Sequence, residues 1–348
     1  MTIWYTASAT NAQWDAWLRT FPGAYVYQSS AWARYKQLAG WQSVRLFLPG
    51  DDNAPLALVQ GLIKRAPLLG GMMWVPGGPV WRGVPLVEAN VALGEALGRA
   101  SGARYVRLFD MSEVRAVPGS ADASTAASGP NAAPAYAAPW RCPKVRNGSG
   151  ASVLLDVTQA RDAWLAGMTG KHRYYVRRAL REPVQWRTGN DGLQLAALAA
   201  LTGEMSRIKG AAHQRAEDEL QAQSTALGSH VLTLVGYLAG RPVTACQVLC
   251  WETMAIYATA ATNEAGRSIS AAYAMIAELR DVLRVAGVET LDFGGIDPHN
   301  PAARGVDHFK MGFGGRTLFY AGEWEWAASP LARALGNLAV RVRRGSGA

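Results

Sequence analysis

The sequence predicts an α/β protein in which one unit of helices and strands is built twice, and three observations carry that prediction. The order helix, strand, strand, strand, helix, strand, read over residues 25–109, recurs over residues 193–293. The 348 residues, 49% of them hydrophobic, are long for one compact core and ample for two domains of ordinary size. No run of about eighteen apolar residues occurs, so no membrane-crossing helix competes for these segments.

The first round opens where Ser29 or Ser30 caps a helix. Trp32, Tyr35 and Leu38 fall at helical spacing and Gly40 closes it. Val44–Leu48 and Leu56–Ile63 read as strands paired across an Asp51-Asp52-Asn53 turn. Met72–Val75 is a third strand, ending in the loop Pro76-Gly77-Gly78-Pro79. Val87–Leu97 is a helix and Tyr105–Phe109 a buried strand. Residues 119–134 are almost entirely Ala, Ser, Gly, Pro and Asn, a composition that buries too little to offset its ordering cost, and a mobile loop is expected. A strand, Ser152–Leu155, precedes helices over Ala160–Met168 and Lys171–Leu180. The second round runs through a helix at Leu193–Ile208, strands at Val231–Leu238, Val243–Trp251 and Met254–Ala258, a helix at Ser270–Val285 and a strand at Thr290–Phe293. The expected domains are 1–150 and 151–328, followed by a basic helix and tail over 329–348. No repeat in the sequence itself accompanies the repeated order.

Composition narrows the function classes. The formal charge of +9, from 35 basic and 26 acidic residues, favours a polyanionic partner such as nucleic acid, phosphates or an acidic membrane surface. Three cysteines are too few and scattered for a disulfide framework, and Cys246 and Cys250 read as buried free thiols rather than a metal pair. The five histidines show no metal spacing, so no metal is expected. Met1–Thr6 lacks a basic segment followed by an apolar stretch, so no signal peptide is expected and a cytoplasmic location is.

Four segments, spread over most of residues 25–320, carry a family likeness. They are Gln28-Ser29-Ser30-x-Trp32-x-x-x-Lys36 with Gly40-Trp41; Val75-Pro76-Gly77-Gly78-Pro79; Lys171-x-Arg173-Tyr174-x-Val176-Arg177-x-Ala179; and Asp292-Phe293-Gly294-Gly295-Ile296 followed by Phe309-Lys310-x-Gly312-Phe313-Gly314-Gly315. In this order and spacing the set resembles the Fem family of tRNA-dependent aminoacyl transferases. The resemblance implies two tandem acetyltransferase-like (GNAT) domains facing a shared cleft, without a coiled-coil arm. It also implies transfer of an amino acid from aminoacyl-tRNA, the co-substrate, to an amine of a peptidoglycan precursor or similar peptide, with no metal or redox cofactor.

The resemblance assigns roles residue by residue. Lys36 matches a lysine that holds the diphosphate of a nucleotide- or lipid-linked precursor, Arg215 a second phosphate-binding residue, and Tyr257 a tyrosine of the same site. The family places an aromatic four residues after that arginine, where this chain has Glu219. Phe309-Lys310 matches the pair that positions the aminoacylated end of tRNA, with Lys310 as a charge stabiliser on a rigid glycine-rich turn. Met311–Gly315 is expected to let backbone approach the terminal adenosine. Asp110, read as closing the strand Tyr105–Phe109, resembles an aspartate of the acceptor pocket; a turn-capping role suits it equally.

Other readings rest on the residues alone. Arg173, Arg177 and Arg181 stand at i, i+4 and i+8 and form one stripe, with Lys171, Tyr174 and Tyr175 close by. Such a stripe suits phosphates and unpaired bases, and equally a solvated face of a linking helix. Pro330–Arg344 reads as a helix with Leu331, Ala334, Leu335, Leu338 and Val342 on one face. That face suits either packing on the second domain or peripheral contact with an anionic membrane. A monomer is the favoured state. Two other function classes stay open: a coenzyme A-dependent acyltransferase and a Fem-like module of natural-product or exopolysaccharide assembly. The first wants an Arg/Gln-x-x-Gly-x-Gly/Ala phosphate turn, for which no convincing match is found.

Overall fold

The computed structural model describes residues 3–50, 54–65, 70–83, 85–114, 136–209, 215–297 and 300–345. The expected turn at 51–53 and the expected mobile loop over 119–134 lie outside these residues. The chain forms two compact units: unit 1 comprises Met1–Ala151 and Leu318–Ala348, and unit 2 comprises Ser152–Thr317.

Unit 1 carries β1 (Tyr5–Thr6), α1 (Asn11–Arg19), α2 (Ser30–Gln37), β2 (Gln42–Pro49), β3 (Pro55–Lys64), β4 (Met72–Pro76), β5 (Val80–Trp81), α3 (Val87–Ser101) and β6 (Tyr105–Glu113). Unit 2 carries β7 (Ala151–Asp156), α4 (Arg161–Gly167), α5 (Gly170–Ala179), β8 (Gln185–Thr188), α6 (Gly192–Lys209), α7 (Glu217–Leu227), β9 (Val231–Leu238), β10 (Arg241–Trp251), β11 (Met254–Thr262), α8 (Glu264–Ser268), α9 (Ala271–Val285), β12 (Thr290–Asp292) and α10 (Arg304–Met311). The chain then returns to unit 1 as β13 (Arg316–Ala327) and α11 (Pro330–Gly345).

The duplication absent from the sequence is present in the topology. In unit 1 the strands lie in the order β1-β2-β3-β4-β6-β13, all antiparallel except the parallel pair β4–β6, which α3 connects. In unit 2 the order is β7-β12-β11-β10-β9-β8, all antiparallel except the parallel pair β11–β12, which α9 connects. A parallel neighbour cannot be reached by a tight turn, so each unit needs its long crossover helix. Leu46, Val59, Val75 and Val106 pack with Leu93 and Leu97 of α3 in one core, and Leu195, Leu198 and Leu201 of α6 pack with Val235 and Ala245 in the other.

One boundary of the sequence reading is corrected. Residues 318–328 belong with unit 1 rather than with a second domain, and 329–345 pack with that unit rather than forming a separate element. β13 pairs antiparallel with β6, and α11 packs Gly336 so closely on Tyr105 that a Cβ would lie 2.4 Å from the ring.

Candidate functional site

The first two family-like segments form one clamp. Gln28 is fully buried; its side-chain amide donates to Gln60 O at 3.1 Å and Pro76 O at 2.8 Å, and its amide oxygen accepts from Gln60 N at 2.6 Å. A Cβ on Gly78 would lie 2.7 Å from that amide, so the Pro-Gly-Gly-Pro loop fits only as glycine there. Ser29, the first of the two caps the sequence offers, caps α2 by accepting from Trp32 N at 3.1 Å. The clamp presents Lys36 in the last turn of α2, its ammonium 4.7 Å from the Trp32 ring centroid and 4.5 Å from that of Tyr35.

Asp110 does not close its strand, because β6 continues to Glu113. It is fully buried and accepts from Ser112 N at 2.8 Å and Tyr136 Oη at 2.9 Å. Burial pushes its carboxyl above the usual carboxylate range.

In unit 2 the third and fourth segments meet. Phe309 and Lys310 are held not on the glycine-rich turn itself but in the last turn of α10, which the glycines follow. The Lys310 ammonium donates to Gly294 O at 3.2 Å and Gly295 O at 2.7 Å. Burial holds its pKa below the ordinary lysine value, opposed by the charges of Asp292 and Asp307. Asp292, fully buried, accepts from Gly294 N at 2.8 Å and from the Ser152 hydroxyl, so it shapes the loop that receives the lysine. Gly294 has φ +70°, and a Cβ there would lie 3.2 Å from Tyr257 O.

The Cβ positions of the glycines after Lys310 are occupied by the protein itself. A Cβ on Gly312 would lie 2.0–2.3 Å from the His172 ring, one on Gly314 2.8 Å from Gly167 O, and one on Gly315 2.6 Å from Leu154 O. These glycines dock α10 onto α5 and β7.

His172 is a positioning residue that the sequence reading passed over. It is fully buried; Nε2 lies 3.1 Å from Phe309 O and Nδ1 2.9 Å from the Thr169 hydroxyl. A carbonyl only accepts, so Nε2 carries the proton and Nδ1 accepts from Thr169. Burial, the largest cause, lowers its pKa and favours this neutral form. His172, Tyr273, Phe309 and Phe313 make an aromatic cluster with centroids 4.9–6.4 Å apart, extended by Phe293 to Tyr257. The available signal was positional: His172 is the unassigned residue inside Lys171-x-Arg173.

Arg215 reaches β11, the strand of Tyr257, by donating to Thr259 Oγ1 at 3.4 Å, and also donates to Gln223 Oε1 at 3.3 Å. Glu219, where the family has an aromatic, pairs with it at 3.1 Å. Lys36 is in unit 1 and Arg215 in unit 2.

Along α5, Arg173, Tyr174, Arg177, Arg178 and Arg181 line an open groove of about 430 Å³. Arg177, Arg178, Arg181, Tyr174 and Lys171 are exposed, whereas Arg173 turns back to donate to Met168 O at 3.2 Å. Arg173 therefore braces the helix start while still lining the groove, and Arg178 lines it as well. The thiols of Cys246 and Cys250 are pushed up by burial, Cys250 to about 11. No group of three or more His, Cys, Asp or Glu able to hold a metal occurs among the described residues, and no described helix is long and apolar enough to cross a membrane.

The FemAB family model matches residues 211–341, the segment that contains Arg215, Tyr257, Phe309 and Lys310, so the family resemblance read from the motifs is borne out there. No curated protein matches the sequence. Among solved structures the chain resembles FemX, with 16% identity, coverage of 96% of this chain and 100% of that one, and a TM-score of 0.78. It also resembles a tandem GNAT protein from the clavulanic acid biosynthesis pathway, with 12% identity, coverage of 95% and 99%, and a TM-score of 0.55. A third likeness is to the C-terminal domain of a protein named as a lysylphosphatidylglycerol synthetase from Agrobacterium fabrum, with 14% identity, coverage of 95% and 97%, and a TM-score of 0.53. The fold is that of two GNAT-like domains in tandem.

Proposed function

We propose that this chain is an aminoacyl transferase that moves an amino acid from aminoacyl-tRNA to an amine of a peptidoglycan precursor or comparable peptide. The observation that carries the reading is Lys310, fixed on two carbonyls beside Phe309 inside the family-matched segment. In the reaction the acceptor amine attacks the ester carbonyl, the C–N bond forms, the C–O bond breaks, and the terminal ribose oxygen leaves and takes a proton. Two of the three Lys310 N–H groups are engaged by Gly294 and Gly295, and the third serves the oxygen on which charge develops. No covalent enzyme intermediate is needed. Asp110, fully buried, accepts from Ser112 N and Tyr136 Oη and is assigned to the acceptor pocket, and proton removal is assigned to water or substrate.

The exposed cations Lys171, Arg177, Arg178 and Arg181, with Tyr174 among them, suit the phosphates and unpaired bases near a tRNA end. Lys36, Arg215 and Tyr257 are assigned to the acceptor. Peripheral membrane contact is supported by α11: it buries Ala332, Gly336 and Val340 against unit 1, while Leu331, Leu338 and Val342 are exposed on its other face. The fold-level likeness to a protein named for lysylphosphatidylglycerol adds a reason to test lipid acceptors.

The deciding experiment supplies mixed radiolabelled aminoacyl-tRNAs with nucleotide- and lipid-linked peptidoglycan precursors, and acyl-coenzyme A in parallel, with and without anionic vesicles. Label from tRNA is expected in an amide on the precursor. Label from acyl-coenzyme A alone would replace this reading with the coenzyme A-dependent one.

A further inference from the structure

Along α10 one face of the helix passes from the core of unit 2 into solvent. The spacing i, i+3, i+4, i+7 puts Val306, Phe309, Lys310 and Phe313 on one side. Phe313 is fully buried, Phe309 and Lys310 are half-buried, and Val306 is 48% exposed. Arg304, the cation at the start of this helix, lies roughly 200° around the axis from Val306 and so faces elsewhere.

The loop that grips Lys310 runs along the same stretch. Gly294 O and Gly295 O take the Lys310 ammonium at 3.2 and 2.7 Å, and the two oxygens of Asp307 accept from Asp297 N at 3.3 and 3.2 Å. Residues 294–297 therefore pass from the turn of Lys310 to the turn of Asp307, about 4.5 Å back along the helix axis.

The aspartates of this loop and helix differ in what they leave open. Asp292 is fully buried and shapes the loop through Gly294 N and the Ser152 hydroxyl. Asp307 is 4% exposed and is committed to Asp297 N. Asp297 is exposed, and its carboxylate makes no hydrogen bond or ion pair among the described residues. It does not neutralise Lys310, which carbonyls hold, so both charges stay open to a ligand. The rim thus offers an ammonium, a carboxylate and an apolar surface side by side. An aminoacyl ester carries the matching groups a few bonds apart: ester oxygens, an α-ammonium and a side chain.

We propose that Asp297 and Val306 form the seat of the aminoacyl group, Asp297 accepting from its α-ammonium and Val306 lying against its side chain. Lys310 meets the ester oxygens of the same group. The inference rests on the transferase reading for the identity of the donor, and adds that the donor carries a free, protonated α-amine. Held at both ends, the ester turns about few bonds, which orients its carbonyl for attack.

Alanyl-tRNA and lactyl-tRNA, which differ only in an ammonium or a hydroxyl on the α-carbon, are compared as donors in single turnover. The same acyl groups, joined by a stable amide to 3′-amino-3′-deoxyadenosine, are titrated into the full chain by calorimetry. The wild-type chain is expected to bind the alanyl compound at least about tenfold more tightly than the lactyl one. Asp297→Asn should bring the two within about twofold at an unchanged melting temperature, by weakening the alanyl compound alone. The alanyl-to-lactyl ratio in transfer should fall by about tenfold in the same variant, and Asp297→Glu should restore part of it. Val306→Phe should shift binding from the alanyl toward the glycyl compound by about fivefold. Preference in binding with no label transferred from tRNA would sink the transferase reading and leave this seat standing. Equal binding of the alanyl and lactyl compounds by the wild-type chain, or an unchanged preference in a folded Asp297→Asn variant, would overturn the proposal.

Discussion

The two lysines assigned to the chemistry are held in opposite ways. Lys310 is gripped by carbonyl oxygens at 3.2 and 2.7 Å, on a helix whose following glycines are wedged against α5 and β7. Lys36 lies over the faces of Trp32 and Tyr35 at 4.7 and 4.5 Å. Carbonyls fix a direction as well as a distance, whereas an aromatic face holds a cation without orienting its N–H groups. The first arrangement suits a charge that must meet an oxygen at one moment of a reaction. The second suits a ligand's charge held throughout its stay.

The strongest way to break that contrast is to remove each ammonium in turn. Lys310→Ala is expected to lower single-turnover transfer by about a hundred- to a thousand-fold while leaving acceptor binding nearly intact. Lys36→Ala should do the reverse, raising the acceptor's KM with little change in kcat. The lowered Lys310 pKa sharpens the test. The cationic form is lost as pH rises through a value below the ordinary 10.5, so transfer should begin to fall on the alkaline side before that point. Lys310→Arg, slower throughout because its planar fork does not reproduce a point charge, should not show that fall.

The next effect concerns the frame. Gly312→Ala places a methyl group 2.0–2.3 Å from a His172 ring pinned on both nitrogens, so the ring has no cheap way to yield. A loss of about 1–3 kcal/mol in stability is expected by denaturant melts, with slower transfer. Gly305→Ala, on the same helix with nothing within 4 Å of its Cβ, should be neutral or stabilising. Equal melting curves for the two variants would mean that the glycines do not frame Lys310.

How much of this was legible beforehand follows from which signals are local. The repeated element order, the Ser29 cap and the helix carrying the arginine stripe came from periodicity and capping, which a sequence displays directly. β13 was missed because Glu323 and Glu325 alternate with tryptophans yet are buried, Glu323 held by Arg107 far away in sequence and Glu325 by Arg333 and Asn337 of the following helix. The helix under Lys310 was missed because the glycines that follow it imitate a loop. His172 was invisible because its partners, Thr169 and Phe309 O, become a site only after folding. The apolar face of α11 was read correctly as a stripe, but burial lies on the opposite side.

The arginines of α5 extend the contrast to cations in open solvent. Arg177→Gln combined with Arg181→Gln should raise the KM for aminoacyl-tRNA by about tenfold and flatten its salt dependence by roughly 0.7 per lost phosphate contact. Arg173→Gln should instead show mainly as a lower melting temperature, because Arg173 Nη2 donates to Met168 O and Ala166 O. A full effect of Arg173→Gln on the salt slope would return that residue to the RNA-contacting stripe.

The smallest effect is expected at Arg215, a cation already paired. Its partner Glu219 is 47% exposed and lies 3.1 Å away, and an exposed pair of this kind contributes no more than about 1 kcal/mol. Arg215 keeps its bonds to Gln223 and Thr259 when the carboxylate is removed, so it should stay in place. Glu219→Gln should therefore leave the melting temperature nearly unchanged while making Arg215 more available to an incoming anion. Pyrophosphate is the probe, titrated at low salt, where screening is weakest. A gain in affinity of about threefold is expected, equal to roughly 0.65 kcal/mol, and it should shrink as salt is added. Glu219→Tyr, which supplies the aromatic of the family pattern, should match that gain and add any stacking contribution from a nucleotide-linked ligand. Unchanged pyrophosphate affinity in Glu219→Gln would show that Arg215 serves the fold of unit 2 and not a phosphate, leaving Lys36 as the cation of the acceptor side.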